Sequence, residues 1–235
     1  LNALAILRRG LNNRPPSGLF RPQIRREGQM IRFSRHAAVL LALAALTLAS
    51  CQQKAAAPPV TADEMSLGSP QAKVTVVEYA SAGCPFCARF NNEQFPAFKA
   101  KYVDTGKVHY VFREVLVGGG SEIALGAAGF LTARCAGKDK YFAVLDQVFH
   151  DQEQIYRSGD IKAGLLPIAK ANGLNDQQFE ACVNDEAAIN AMNARSEKAG
   201  QDGVAATPTF FINGKKTFEG VPTPEQLDAA VQAAG

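Results

Sequence analysis

The stretch Gly83-Cys84-Pro85-Phe86-Cys87 constrains this chain more than any other, because of what stands on either side of it. Before it runs Val74-Thr75-Val76-Val77-Glu78-Tyr79, β-branched and aromatic, which is strand chemistry. After it, the segment from Arg89 to Tyr102 carries Phe90, Phe95 and Phe98 at broadly helical spacing. The cysteines therefore fall where a strand hands over to a helix. Two cysteines three apart in a first helical turn have neighbouring side chains, and a disulfide needs Cα atoms roughly 4.4–6.8 Å apart, so this pair can close with little backbone movement. Cys84 comes first, at the helix N-terminus, and is expected to be exposed there. Unpaired N–H groups and the positive end of the helix dipole favour an anion at that point and lower a thiol pKa from its free value of about 8.5. Pro85 suits the first helical position, where a missing N–H costs nothing.

A Cys-x-x-Cys pair can also be half of a zinc site, but zinc needs two more ligands. The other candidates, Cys135, Cys182, His109 and His150, are scattered singly, and the expectation is redox chemistry with no metal and no cofactor. His109 falls in a predicted strand and His150 near a predicted helix end; both read as packing or surface residues. With 235 residues, 47% of them hydrophobic, the chain can build one core and hardly two. Eight of the 25 basic residues and one of the 22 acidic residues precede Cys51, leaving 17 against 21 and a formal charge of −4 from Cys51 onward. The basic balance belongs to the leader, which argues against a nucleic-acid partner.

Residues 1–29 are rich in Arg and Pro without a sustained hydrophobic period, and the expectation is that they are not translated. Met30 opens a secretory signal over 30–51: Arg32, Arg35 and His36 form a charged head, and Ala37 to Ala49 is apolar. That run is too short to span a bilayer as a permanent helix. It ends in Leu48-Ala49-Ser50-Cys51, which resembles a bacterial lipobox, where the cysteine is lipidated and becomes the mature N-terminus. Ordinary cleavage near Ala49 or within Ala55-Ala56-Ala57 is the alternative, giving an untethered protein. Either way the chain is expected in the periplasm, where disulfides persist. Residues 52–69 read as an Ala- and Pro-rich linker with a reach of roughly 25 Å.

The folded part is expected over 70–235. Lys107 to Val115 reads as a second strand, and Gly118-Gly119-Gly120 breaks it. Helical stripes follow through an insertion at about 118–200. They run through Ile123, Ala127, Phe130 and Leu131, through Tyr141, Leu145, Val148 and Phe149, and through Ile161, Leu165 and Ile168. Asn175 to Gln178 looks like a capping box ahead of Phe179 and Cys182. Strand chemistry returns at Pro208 to Ile212, Asn213-Gly214 makes a tight hairpin turn, and Lys216 to Phe218 returns. Thr223-Pro224-Glu225-Gln226 caps a last helix. The order is that of an α/β core interrupted by helices. Cys135 and Cys182 fall on different predicted helices; in an oxidising compartment they read as a structural disulfide, two buried thiols being the alternative.

Val76-Val77-Glu78-Tyr79-Ala80-Ser81 leading into Cys84-Pro85-Phe86-Cys87, together with Thr207-Pro208-Thr209-Phe210-Phe211-Ile212-Asn213-Gly214, resembles the DsbA family of periplasmic thiol-disulfide oxidoreductases. The resemblance covers about 70–235 and implies a thioredoxin-like fold with an inserted helical domain. It also implies a reaction, the exchange of the Cys84–Cys87 disulfide with cysteines of reduced or unfolded secreted proteins, with a membrane redox partner restoring the pair. Cys84 would be the nucleophile and Cys87 the resolving thiol. Pro208 matches the family's cis-proline, and Thr207 before it would face the sulfurs and offer its backbone to substrate. Pro85 and Phe86 would complete the substrate-binding surface. Glu78, on one face with Val74 and Val76 in a strand covered on both sides, matches an acid that assists proton transfer at the buried thiol; a carboxylate reaching the surface or pairing with Lys is the other reading. The chain departs from the pattern at Phe86, where the best-known members carry His. The resemblance therefore does not carry strongly oxidising behaviour over, and a reductase or isomerase on the same fold remains open. From a different class, two soft thiolates could serve a Cu(I) carrier.

Overall fold

A computed structural model describes residues 57–61 and 64–235; the expected leader and Cys51 lie outside the described residues. The centre is β2, Val74–Ala80, whose alternating side chains face two ways. Val74, Val76 and Ala80 join the larger core, while Val77 and Tyr79 join a smaller one behind the sheet. On one side β2 pairs in parallel with β3, Val108–Glu114, and on the other antiparallel with β4, Thr209–Ile212. β5, Lys215–Glu219, returns from β4 through Asn213 and Gly214, both at positive φ as a two-residue hairpin demands. β1, Met65–Leu67, closes the other edge against β3, so the five strands run β1-β3-β2-β4-β5.

Three expectations need correction. First, the segment from Arg89 to Tyr102 is not one helix. α1, Pro85–Glu93, ends at Gln94, and α2, Phe95–Phe98, is followed by a π-helical turn, Lys99–Val103. Pro96 explains the break, since it has no N–H for the carbonyl of Asn92 and its ring crowds that turn. Second, the 52–69 linker does not run to residue 69, and the fold begins before Pro70. β1 lies inside the stretch, and Ala57 N–H donates to the Gly214 carbonyl at 2.9 Å. The stretch shows no period because β1 is three residues long and forms only by pairing with the edge of β3. Third, His150 lies within a helix, not near its end, and is exposed.

Between β3 and β4 come five helices: α3 Gly120–Cys135, α4 Tyr141–Ser158, α5 Ile161–Ala171, α6 Asp176–Val183 and α7 Glu186–Gln201. Their starts follow from local chemistry. Asp160, Asn175 and Asp185 each accept an amide from the first turn of the helix they cap. A disulfide joins Cys135 at the end of α3 to Cys182 on α6. The block is fastened to the sheet by a buried carboxylate. Glu114, at the end of β3, accepts from Arg134 Nε at 2.6 Å, Arg195 Nε at 2.7 Å and the Tyr141 hydroxyl at 2.9 Å. A buried charge with this many donors is satisfied, and it ties α3, α4 and α7 to one strand end. α8, Pro224–Ala234, opens with the Thr223–Gln226 capping box and buries Leu227 and Val231. The fold is the expected α/β architecture, a thioredoxin-like sheet with helices inserted between β3 and β4.

Candidate active site

Two aromatic contacts position the cysteines. Phe90 of α1 meets Phe210 of β4 edge-on, with ring centroids 4.9 Å apart, and Phe95 meets Tyr110 of β3 at 4.6 Å. These seat α1 and the start of α2 across the sheet, so the first turn of α1 emerges at the C-terminal end of β2. Cys84 is the N-cap, in extended conformation, with Pro85 first in the helix. Its own amide is held by the Ser81 carbonyl at 3.0 Å, and its carbonyl accepts the first intrahelical bond from Ala88 at 3.1 Å.

Cys84 is buried, at 6% exposure, where the sequence suggested an exposed thiol. The loop before β4 covers it: the Cys84 sulfhydryl donates to the Thr207 carbonyl at 3.5 Å, and the Thr207–Pro208 peptide is cis. Cys87, one turn inward, is fully buried, and both cysteines are free thiols. The two sulfurs are driven apart in acidity. A hydrogen bond from the Cys87 thiol to the Cys84 sulfur is the largest cause holding the Cys84 pKa down at about 6, against the opposing effect of burial. The Thr207 side chain and the amides of Cys87 and Phe86, in the first turn of α1, lower it further. Burial pushes the Cys87 thiol well above its ordinary value, and the negative charge on Cys84 adds to this.

Glu78 is 2% exposed and its carboxylate accepts from the Tyr110 hydroxyl. Neither a surface position nor a lysine partner describes it. Burial raises its pKa to about 8, against the opposing Tyr110 bond, and the Cys84 charge contributes in the same direction. Its proximity to Cys87 shows in the reciprocal effect, since Glu78 also raises that thiol. Phe86 is 58% exposed, with the Arg89 guanidinium 5.3 Å from its ring centroid. Pro85 is exposed beside it. The site thus brings together Cys84, Cys87, Glu78, Thr207, Pro208, Pro85 and Phe86, while Cys135 and Cys182 form their separate disulfide in the helical block. His109 is buried in β3, and His150 lies 2.8 Å from Asp151.

Three residues at the site escaped the sequence reading. Tyr110 shares a sheet face with Glu78, because β3 pairs with β2 in the register Val76 with Tyr110 and Glu78 with Phe112. Alternation in the second strand could have placed its hydroxyl there. Gln152 and Tyr156 come from α4; Gln152 donates to the carbonyls of Ala82 and Cys84, and Tyr156 to that of Gly83. A glutamine continuing an otherwise apolar stripe was the signal for the first of them.

This strand, helix and cis-proline arrangement belongs to the thioredoxin class. The thioredoxin family model matches residues 60–233, and the chain belongs to that family. Within it the chain is DsbA-like. It is similar to the crystal structure of α-DsbA1 from Wolbachia pipientis, at 26% identity and a TM-score of 0.65, covering 74% of this chain and 92% of that one. It is also similar to a protein of Rickettsia typhi named as a protein-disulfide oxidoreductase, 31% identical over 157 residues, covering 66% of this chain and 56% of that protein. A disulfide bond formation protein D of Bacillus cereus is 27% identical over 154 residues, covering 64% of this chain and 70% of that protein. The chain thus spans little more than half the length of its rickettsial relatives.

Proposed function

We propose that the protein is a thiol-disulfide oxidoreductase that introduces disulfides into exported proteins through Cys84 and Cys87. The observation that carries this reading is the Cys84 sulfur, acidic at a helix start and facing the carbonyl of Thr207 ahead of Pro208. An acidic thiol is a good leaving group, and stabilising its thiolate favours the reduced form, which makes the disulfide the better oxidant.

In the forward direction a substrate thiolate attacks Sγ of Cys84, the Cys84–Cys87 bond breaks, and Cys87 leaves as a thiolate. Glu78, protonated at neutral pH when its pKa is near 8, supplies the proton that this buried sulfur requires. A second substrate thiolate then attacks the substrate sulfur of the mixed disulfide, and Cys84 departs as a thiolate. Two electrons have moved from the substrate thiols to the pair, and the substrate holds a new disulfide. The Thr207 backbone and the exposed Pro85–Phe86 surface would receive the extended substrate, with an apolar ring suited to unfolded chains. A membrane redox partner then accepts these two electrons from the dithiol, and the Cys84–Cys87 disulfide re-forms. The charged head and apolar run of residues 30–51, ending in Leu48-Ala49-Ser50-Cys51, support a periplasmic location with a tether through lipidated Cys51.

Oxidative refolding of a reduced, unfolded disulfide protein tests the reaction. The oxidised wild type should restore its activity stoichiometrically, and Cys84→Ser should not. Reduction of insulin without any gain in refolding would reverse the direction. Tight stoichiometric Cu(I) binding by the reduced protein without exchange would move it to the metal carriers. Mass spectrometry of the mature N-terminus tests the tether, which an unmodified start at another residue would remove.

A further inference from the structure

We propose that Gln152 and Tyr156, on the inserted helix α4, are positioning residues that clamp the loop carrying Cys84 and thereby set the reactivity of its sulfur. They lie one helical turn apart and so share a face. Gln152, 4% exposed, donates from Nε2 to the Ala82 carbonyl at 2.8 Å and to the Cys84 carbonyl at 3.3 Å. The Tyr156 hydroxyl donates to the Gly83 carbonyl at 2.5 Å. Three consecutive carbonyls of the loop are thus held by one face of one helix. The loop has little room to move otherwise: a Cβ on Gly83 would stand 1.9 Å from the Glu122 carbonyl of α3, and the Gly83 amide is held by Ser81 Oγ at 3.3 Å.

The consequence for the sulfur is electrostatic. Carbonyl oxygens beside a developing thiolate oppose it, and donors from α4 fix these oxygens toward the helical block and offset their partial charge. The Cys84 sulfur is left facing the amides of the first turn, with the Thr207 carbonyl as the main-chain oxygen hydrogen-bonded to it. Removing the donors leaves the buried Ala82 and Gly83 carbonyls unpaired, while the Cys84 carbonyl keeps its bond from the Ala88 amide. The unpaired carbonyls cost free energy unless the loop turns, and turning moves Cys84 off the helix start. The insertion would therefore tune the nucleophile without touching substrate. The other titratable groups facing Cys84 are Cys87 on α1 and Glu78 on β2, with Glu122 of α3 next to Tyr156.

The inference rests on Cys84 being the reactive thiol of the proposed function, and the test separates the two. Alkylation of Cys84 in the reduced protein is followed from pH 4.5 to 8.5 for wild type, Tyr156→Phe, Gln152→Leu and Gln152→Glu, together with the equilibrium against glutathione. Tyr156→Phe deletes one hydroxyl from a side chain that is only part-buried, so it tests the clamp even if a Gln152 variant fails to fold. Each variant should raise the Cys84 pKa, by about one unit for Gln152→Leu. That makes alkylation at pH 6 about fivefold slower and shifts the glutathione equilibrium at pH 7 about fivefold toward the oxidised form. Gln152→Glu, the same shape without a donor when ionised, should shift it at least as far. A wild type whose Cys84 is not acidic overturns the proposed function and this inference with it. An acidic wild type with variants that lose stability but keep its pKa and equilibrium overturns the clamp alone.

Discussion

The acidity of Cys84 fixes how its reduction potential must depend on pH. Below pH 6, reduction of the Cys84–Cys87 disulfide takes up two protons with its two electrons; above the Cys84 pKa of about 6 it takes up one, because Cys84 stays ionised while Cys87 stays protonated. A tenfold change in the equilibrium constant of a two-electron couple is about 30 mV, so the potential should fall by about 59 mV per pH unit below the break and about 30 mV above it. Against a thiol titrating at its ordinary 9.0, a pKa of about 6 favours the reduced form by a factor of about 11 at pH 7, worth about 1.4 kcal/mol or roughly 30 mV. Equilibration with glutathione buffers between pH 4.5 and 7.5 measures this, and the range stops short of Glu78 near 8. A slope of about 59 mV persisting to pH 7.5 would refute the claim that this fold acidifies Cys84.

Glu78→Gln should slow the exchange step in which Cys87 gains or loses its proton by a factor on the order of 10² at constant Cys84 acidity, read by stopped-flow. Because the folded pKa of Glu78 is raised from 4.5 to about 8, its stabilising protonation is fully present below pH 4.5 and is lost as pH rises through 8. Wild type should therefore lose about 3 kcal/mol relative to Glu78→Gln between pH 4.5 and 7, as an upper figure, in denaturant melts of the reduced protein, the form in which the Cys84 charge contributes to that pKa. Replacing Cys135 and Cys182 together by Ala opens a crosslink with a sequence separation of 47 and should cost up to about 4 kcal/mol of stability while leaving the potential nearly unchanged. A large loss of turnover at intact stability would instead mark them as a second redox pair. Phe86→His should raise the potential, by about 30 mV or less, because the position is exposed and a charge there is screened.

What the sequence disclosed and what it withheld divide by range along the chain. The Val74-to-Tyr79 alternation, the Asn213-Gly214 turn and the Thr223-Pro224 cap are written in adjacent residues, and the strand-to-helix handover at Cys84 follows from the first of these and the helical spacing after it. Glu78 could be read as buried because it alternates with Val74 and Val76. β1 could not be read, because three residues in a Pro-rich stretch become a strand only by meeting the edge of β3. α7 was missed for a related reason: of its sixteen residues only Met192 and Ala199 are buried, so no stripe announces it. Its attachment depends on Arg195 reaching Glu114, 81 positions away. The cover over Cys84 and the α4 donors to its loop are likewise long-range, joining residues 123 and about 70 positions apart. Local pattern names the cysteines, whereas the groups that tune them are set by tertiary packing.

The central claim, that Cys84 is the sulfur substrates meet and Cys87 the one that resolves, is tested most directly by trapping. A Cys87→Ala variant mixed with a peptide activated as a mixed disulfide should accumulate a stable covalent adduct, and peptide mapping by mass spectrometry should place the adduct on Cys84. The reciprocal Cys84→Ala variant should form almost none at pH 7, since Cys87 is buried and its thiol is held well above its ordinary pKa. Efficient adduct formation on Cys87, or none on Cys84, would contradict the account.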